Sequence, residues 1–434
     1  MSQTPETTHH NNTNPLKPFF HSTLCSTEIL SPFMKPLLLI LLIASISLFS
    51  YTSFLNPSTP FQPNPTTFTH DVSEEQTNLT HVVFGLGGTT KTWNHRRHYS
   101  ESWWKRNITS GFVWLDENPS DNNLTWPDTS PPYRVSSDTS KFKYTNWYGS
   151  QFAVRIARIV KESFELELEN VRCFVMGDDD TVFFTENLVN VLGKYDYNEM
   201  YYVGGNSESV EQYVIHSYGM ACGGGGLAVS YGLAVELVTV LDGCIDRYAE
   251  MYGSDQKIGG LYEQDWCACH QRAWFSSGDP YGLLAAHPAA PLVSLHHLDY
   301  VQPMFPGLTQ IDSLNKLVQA YNLDLGRTPQ HCFCYDLNRN WSISVSWSYT
   351  TFVTWKSWSQ EPFTFNTRAM SPDPCERPVI YFLDWVEEAE QGQTRTTYKR
   401  FEGEPGKECG QKEYVPALFV QFVNVSAAKF DPGL

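Results

Sequence analysis

The chain has 434 residues, 41 % of them apolar and 14 % aromatic, which is too much apolar mass for a disordered polypeptide and length enough for two or three domains. With 30 Lys and Arg against 47 Asp and Glu, the formal charge is −17, which argues against a protein that grips a nucleic-acid backbone. That balance suits a neutral partner, or an anion held through a metal. None of the ten cysteines falls in a C-x-x-C pair, so the usual zinc-ribbon and thioredoxin spacings are absent.

Residues 1–35 read as a cytosolic tail. Pro36 to Leu55 is free of charge, and at about 1.5 Å per residue it reaches about 30 Å, the thickness of a bilayer's hydrocarbon core. Lys17 and Lys35 precede it and no Lys or Arg follows until Lys91, so the charge bias keeps the N-terminus in the cytosol and sends the rest across. A cleaved signal peptide fits less well, because the apolar run starts late and shows no A-x-A site. Residues 56–77 are rich in Pro and Thr at their start and read as a stem. Five N-x-[ST] sequons, at Asn78, Asn107, Asn123, Asn340 and Asn424, fit a luminal glycoprotein. An oxidising lumen also favours disulfides.

Thr80–Phe84 predicts a first strand that breaks into a turn at Gly85-Leu86-Gly87-Gly88. Thr90 stands where a dinucleotide fingerprint needs glycine, so that reading fails. Trp93–Arg106 predicts a basic helix, Phe112–Leu115 a strand, and residues 116–141 a loop. Phe152–Leu168 has apolar residues at helical spacing. Val171–Met176 is a continuous apolar run, as in a buried strand, and it ends in Gly177-Asp178-Asp179-Asp180. Helices follow near 185–194 and 228–242. Strands alternating with helices predict an α/β sheet with ligands at the carboxyl ends of its strands. After residue 330 the pattern changes: Trp341–Val353, Pro378–Leu383 and Ala417–Val425 are strand-like, and residues 331–434 read as a smaller, mostly β module.

Three consecutive carboxylates at the end of a buried strand repel one another. A divalent cation resolves the conflict, and oxygen ligands favour Mn²⁺ or Mg²⁺, which in turn bind phosphate oxygens. The competing reading is a solvated acidic turn. Gly223–Gly226 lets backbone approach a ligand closely, with a plain flexible turn as the alternative. No Gly-Lys-[Ser/Thr] follows, so it is no Walker-type phosphate loop. Tyr252-Gly253-Ser254-Asp255-Gln256 and His296-His297-Leu298-Asp299 add a carboxylate and imidazoles that are unspecific alone. Cys173 and Cys222 can bridge the acidic strand to the glycine turn, but sequence leaves the pairing open.

In order, VVFGLGGTTKTWNHRR, CFVMGDDDTVFF, ACGGGGLAVSYGLA, YGSDQKI and GLLAAHPAAPLVSLHHLD resemble the Fringe-like group of glycosyltransferase family 31, nearest its plant Fringe-related branch. The resemblance covers residues 78–330, with a family-typical tail beyond. It implies a GT-A fold, a Rossmann-like nucleotide-sugar-binding domain over 78–330. It also implies a type II Golgi membrane enzyme that inverts at the anomeric carbon and forms a β-1,3 linkage. A UDP-sugar is the implied donor, a glycan or glycoprotein the acceptor, and Mn²⁺ (or Mg²⁺) the metal. Carried over, Asp180 and His297 hold the metal. Asp178, Asp179, Arg97, Gly224 and Gly225 meet the donor, and Asp255 is the catalytic base. The Fringe pattern has two adjacent acids where this chain has Asp255-Gln256. A catalytically inactive, membrane-anchored sugar-binding or scaffold protein of the same fold is therefore the alternative. A calcium-binding luminal protein ranks last, because the triplet lacks the spaced ligands of a calcium loop.

Overall fold

A computed structural model describes residues 76–119, 125–205, 220–221, 223–265, 270–272, 292–355, 373–402, 409–412 and 415–430. The predicted tail and anchor, and all but the last residues of the stem, lie outside them. Among the described residues no helix is long and apolar enough to cross a membrane. Glu75–Leu434 form one compact unit.

The first sheet is mixed, in the order β3-β2-β1-β4-β7-β6-β8. Its strands are β1 (Val82–Gly87), β2 (Ser110–Leu115), β3 (Tyr133–Val135), β4 (Cys173–Asp178), β6 (Tyr202–Gly204), β7 (Leu227–Ser230) and β8 (His270–Arg272). β1 pairs in parallel with both β2 and β4, and β7 runs antiparallel to β4. Side chains alternate between two covered faces, as the period of two requires. Val83, Phe174 and Met176 pack with α2 (Phe152–Phe164), α4 (Tyr231–Arg247) and Ile258 of α5 (Ser254–Asp265). Val82, Phe84 and Val175 pack on the other side. Their partners include Trp93 and Tyr99 of α1 (Trp93–Glu101), Leu188 of α3 (Thr185–Leu192) and Leu314 of α6 (Gln310–Leu323).

The loop expected over 116–141 contains the short strand β3, and two more predictions in this sheet are corrected. The first strand does not break at Gly85 but runs through Gly87. Its glycines serve close packing: a Cβ on Gly85 would lie 2.6 Å from Ile159 Cγ2, and one on Gly87 2.4 Å from Ile156 Cδ1. The helix expected from 228 begins at Tyr231, because Leu227–Ser230 is a fully buried strand and the Ser230 side chain caps the helix by accepting from Leu233 N–H. Cys173 is a free, buried thiol whose pKa burial pushes up to about 12, so it forms no bridge to Cys222, which lies outside the described residues. A disulfide joins Cys375 to Cys409 instead.

The second sheet is a six-stranded antiparallel meander, in the order β10-β11-β12-β13-β14-β15. Its strands are β10 (His331–Asp336), β11 (Trp341–Ser346), β12 (Thr350–Trp355), β13 (Val379–Ala389), β14 (Gln393–Arg400) and β15 (Phe422–Ala428). Ala417, expected in the last strand, lies in a short helix, Val415–Leu418. Trp347, Tyr349, Tyr381 and Tyr398 of this meander share one core with α1, α3 and α6.

Candidate functional site

The chain leaves β1 toward β2 and β3, then returns to build β4 on the other side of β1. That reversal makes a crevice at the carboxyl ends of β1 and β4, the place where open α/β sheets bind ligands. Gly87 and Asp178 are register partners there. The antiparallel β7 begins opposite Met176, so the glycines just before it arrive beside the aspartates. A two-stranded ladder completes the site. β5 (Val182–Phe183) pairs antiparallel with β9 (Ser294–Leu295), with Val182 facing Leu295, which carries His296 back to the acidic turn.

His296 Nε2 lies 3.1 Å from Asp180 Oδ1 and 3.7 Å from Asp178 Oδ2. One ligand atom from each of Asp178, Asp180 and His296 falls within 4.8 Å of the others, as a divalent cation requires. Asp180 is 1 % exposed, and among the described residues neither of its oxygens meets a donor in hydrogen-bond geometry. His296 and Arg96 pair with it at a distance without hydrogen-bonding its oxygens, and a buried carboxylate in that state gains from a cation, so these residues fit a metal. Two carboxylates and one imidazole can hold a divalent cation and leave coordination positions open for further ligands.

The electrostatics follow from crowding. Burial opposes the charge of His296, yet its polar contacts with Asp178 and Asp180 prevail and push its pKa up to about 9. Burial raises Asp179 to about 6; Arg96 opposes this and the neighbouring aspartates add to it. Burial also opposes ionisation of Asp180, but His296 and Arg96 hold its pKa below the ordinary value. The Arg96 guanidinium sits 3.1 Å from Asp179 Oδ1, 3.4 Å from Asp180 Oδ2 and 3.2 Å from Asp299 Oδ2. Tyr99 donates to Asp299. Thr92 donates to Asp179 at 3.0 Å.

Gly224 has no room for a side chain, since a Cβ there would meet His296 Nε2 at 2.6 Å and Asp178 Oδ2 at 2.7 Å. The glycine run is pinned rather than loose: Thr181 Oγ1 donates to Gly224 O at 2.7 Å, and Ser294 Oγ donates to Gly225 O. Asp255 stands in the first turn of α5 and lines one small cavity with Asp178 and Gly223. Its Oδ1 accepts from Gln256 N–H at 2.9 Å, and its Oδ2 faces Gly223 N–H at 3.4 Å. The helix N-terminus favours negative charge there. Gln256 turns back to accept from Tyr252 N–H at 2.8 Å and Gly253 N–H at 3.2 Å, a capping role that Glu performs equally well.

Two residues of the predicted set are displaced by their neighbours. His297 is exposed, in left-handed backbone at φ 62°, with its ring stacked 3.7 Å from that of His296. The chain turns there, so His296 and not His297 lies against the acids. Arg97 pairs with Glu101 at 2.7 Å, one helical turn away, while Arg96 faces the aspartates. Adjacent helical residues point about 100° apart, so only one of the two can reach the crevice. Sequence reasoning missed Arg96, Tyr99, Thr181 and His296. A wheel drawn from Trp93 and Ser100 sets Arg96 and Arg97 about 50° to either side of their midline and does not choose between them; the burial of Tyr99 is what turns the face toward Arg96.

Of the sequon asparagines, Asn107 and Asn424 are exposed, Asn340 is half-buried in the turn after β10, and Asn123 lies outside the described residues. Asn78 is half-buried, with its Oδ1 accepting from Thr80.

Two family profiles match the chain, one described as Fringe-like over residues 78–257, the other as Protein of unknown function, DUF604, over 212–351 and 349–432. Among curated proteins none matches. The Fringe-like match spans β1, the acidic turn, the glycine run and Asp255, and the second takes in His296 and the meander. The chain belongs to the DUF604 family, whose two matches together span residues 212–432, and residues 78–257 match the Fringe-like family, which suggests a glycosyltransferase.

Proposed function

We propose that the chain is an inverting, metal-dependent glycosyltransferase of the GT-A type. It moves a sugar from a UDP-sugar to a hydroxyl of a glycan or glycoprotein and forms a β-1,3 linkage. The observation that carries this reading is the meeting of Asp178, Asp180 and His296 against the Gly224 backbone at the sheet's reversal point, with Asp255 in the adjoining cavity. The setting is the Golgi lumen, with residues 36–55 as a type II anchor, supported by the charge-free span and the lysines before it.

Asp178, Asp180 and His296 would hold Mn²⁺ or Mg²⁺, which would neutralise the charge on the departing diphosphate. Arg96, tied to Asp179 and Asp299, sets a fixed positive charge at the same end of the crevice. Gly224 and Gly225 bring backbone close to the donor without side chains in the way. Asp255 takes the proton of the acceptor hydroxyl as its oxygen attacks the anomeric carbon from the face opposite the leaving group. One positioned base contributes about 10²–10⁴-fold. Gln256 caps the helix that presents Asp255 and takes no proton.

The test is a panel of UDP-sugars, offered with and without candidate acceptors, with UDP release followed in Mn²⁺ and in EDTA. Release with one donor in Mn²⁺ that stops in EDTA supports the proposal. Mn²⁺-dependent UDP binding without release from any donor supports the inactive sugar-binding protein instead. Absence of both sinks the two readings together.

A further inference from the structure

The segment 143–150 (KYTNWYGS) takes no part in the metal or donor site, yet it is firmly anchored beside Asp255. Thr145 N–H donates to the Ala249 carbonyl at 2.9 Å, Asn146 Nδ2 to the Glu250 carbonyl at 2.8 Å, and Tyr144 OH to the Tyr252 carbonyl at 2.8 Å. Asn146 Oδ1 closes the turn by accepting from Tyr148 N–H and Gly149 N–H, each at 2.9 Å. Gly149 permits the close approach, since a Cβ there would lie 2.9 Å from the Tyr252 ring.

This anchored turn holds its aromatic rings in water. Trp147 is 91 % exposed, Tyr148 74 % and Tyr252 47 %. The rings form a row, with Trp147 and Tyr148 centroids 5.5 Å apart and Tyr148 and Tyr252 centroids 5.9 Å apart, within the range of interacting aromatics. Large apolar groups grouped on a surface mark a binding site, and Tyr and Trp offer rigid contact area at small entropic cost. The row ends at Tyr252, three residues before Asp255, in the turn that Gln256 caps. Residues 144–150 carry no charged side chain, which favours a neutral ligand over a phosphate or an acidic one. A pyranose ring matches such a surface, because its C–H face stacks on an aromatic ring while its hydroxyls stay hydrated.

We propose that Trp147, Tyr148 and Tyr252 are the acceptor subsite, stacking neutral pyranose rings of the acceptor glycan and leading one hydroxyl to Asp255. The proposal rests on the glycosyl-transfer reading above. Asp255 adjoins both halves of the site: it lines one cavity with Asp178, and it follows the aromatic row along the chain.

Saturation-transfer NMR on the full-length chain tests this. The probes are methyl β-D-galactopyranoside, methyl β-D-glucopyranoside and methyl 2-acetamido-2-deoxy-β-D-glucopyranoside, one at a time. At least one should receive saturation at its ring protons. That signal should fall about fivefold or more in Trp147→Ala and in Tyr148→Ala, the scale of one lost stacking contact. UDP affinity in Mn²⁺ should stay within about twofold, which also reports that the variants fold. The subsite is overturned if no glycoside gives a signal, if the signal persists in both variants, or if UDP displaces the glycoside. A chain that binds a glycoside through Trp147 but binds no UDP keeps the sugar subsite and sinks the donor reading.

Discussion

His296 and Arg96 carry the sharpest residue-level expectations, because each has a neighbour of the same type facing elsewhere. His296→Ala removes one of three candidate ligands and should weaken Mn²⁺ affinity by about 10-fold or more, judging from the 10–100-fold cost of losing even an outer-shell partner. His297→Ala should leave it within about threefold. Calorimetric titration of the two variants decides between them, and the reverse order would return the role to His297. Arg96→Ala should weaken UDP-sugar binding by about 10-fold, the usual scale of one lost charge-assisted hydrogen bond. Arg97→Ala breaks a half-buried pair with Glu101, away from the acids, and should cost about 1 kcal/mol of stability or less, measured by urea unfolding, with UDP-sugar binding little changed.

At the scale of elements, the glycine run and the capped start of α5 hold the reacting groups in place. Gly224→Ala forces a methyl group into the space of His296 and Asp178. It should abolish Mn²⁺-dependent UDP binding while the melting temperature changes little, since the run lies at the edge of the core. Gln256→Glu keeps the cap and should leave UDP release within a few fold of the parent. Gln256→Ala loses it, and thermal denaturation should show a loss of about 1 kcal/mol. A large gain of activity in Gln256→Glu would mean that the base belongs at 256 rather than at Asp255.

Over the whole molecule the meander is part of the core. Phe305 packs on Tyr349 at 5.8 Å and on Phe382 at 6.4 Å, and Thr328 Oγ1 donates to Ser348 Oγ at 2.7 Å. A chain ending at residue 330 would open the core that Leu314, Leu317 and Tyr321 share with Trp347 and Tyr381. Each buried side chain of that kind is worth about 1.5–3 kcal/mol. The shortened chain should therefore lose its cooperative unfolding transition, and denaturant titration with circular dichroism checks it. A sharp transition in the shortened chain would instead make residues 78–330 a self-sufficient domain.

Local pattern alone determined much of this protein. The apolar run before Asp178 is a buried strand, the spacing over 152–164 is a helix, and Ser344 and its neighbours alternate as a strand should. The acidic triplet and the glycine run were legible as chemistry because like charges in a row, and glycines in a row, need a reason, whereas Asp255 came only from the family resemblance. The strand at Leu227–Ser230 was hidden, because three apolar residues and a serine running into a helix show no period of their own. The choices between His296 and His297, and between Arg96 and Arg97, were not in the sequence either. Adjacent residues of one type are equivalent by composition. Which of them reaches the crevice depends on the register of β5 with β9 and on the rotation of α1 against the sheet, and packing across distant parts of the chain sets both.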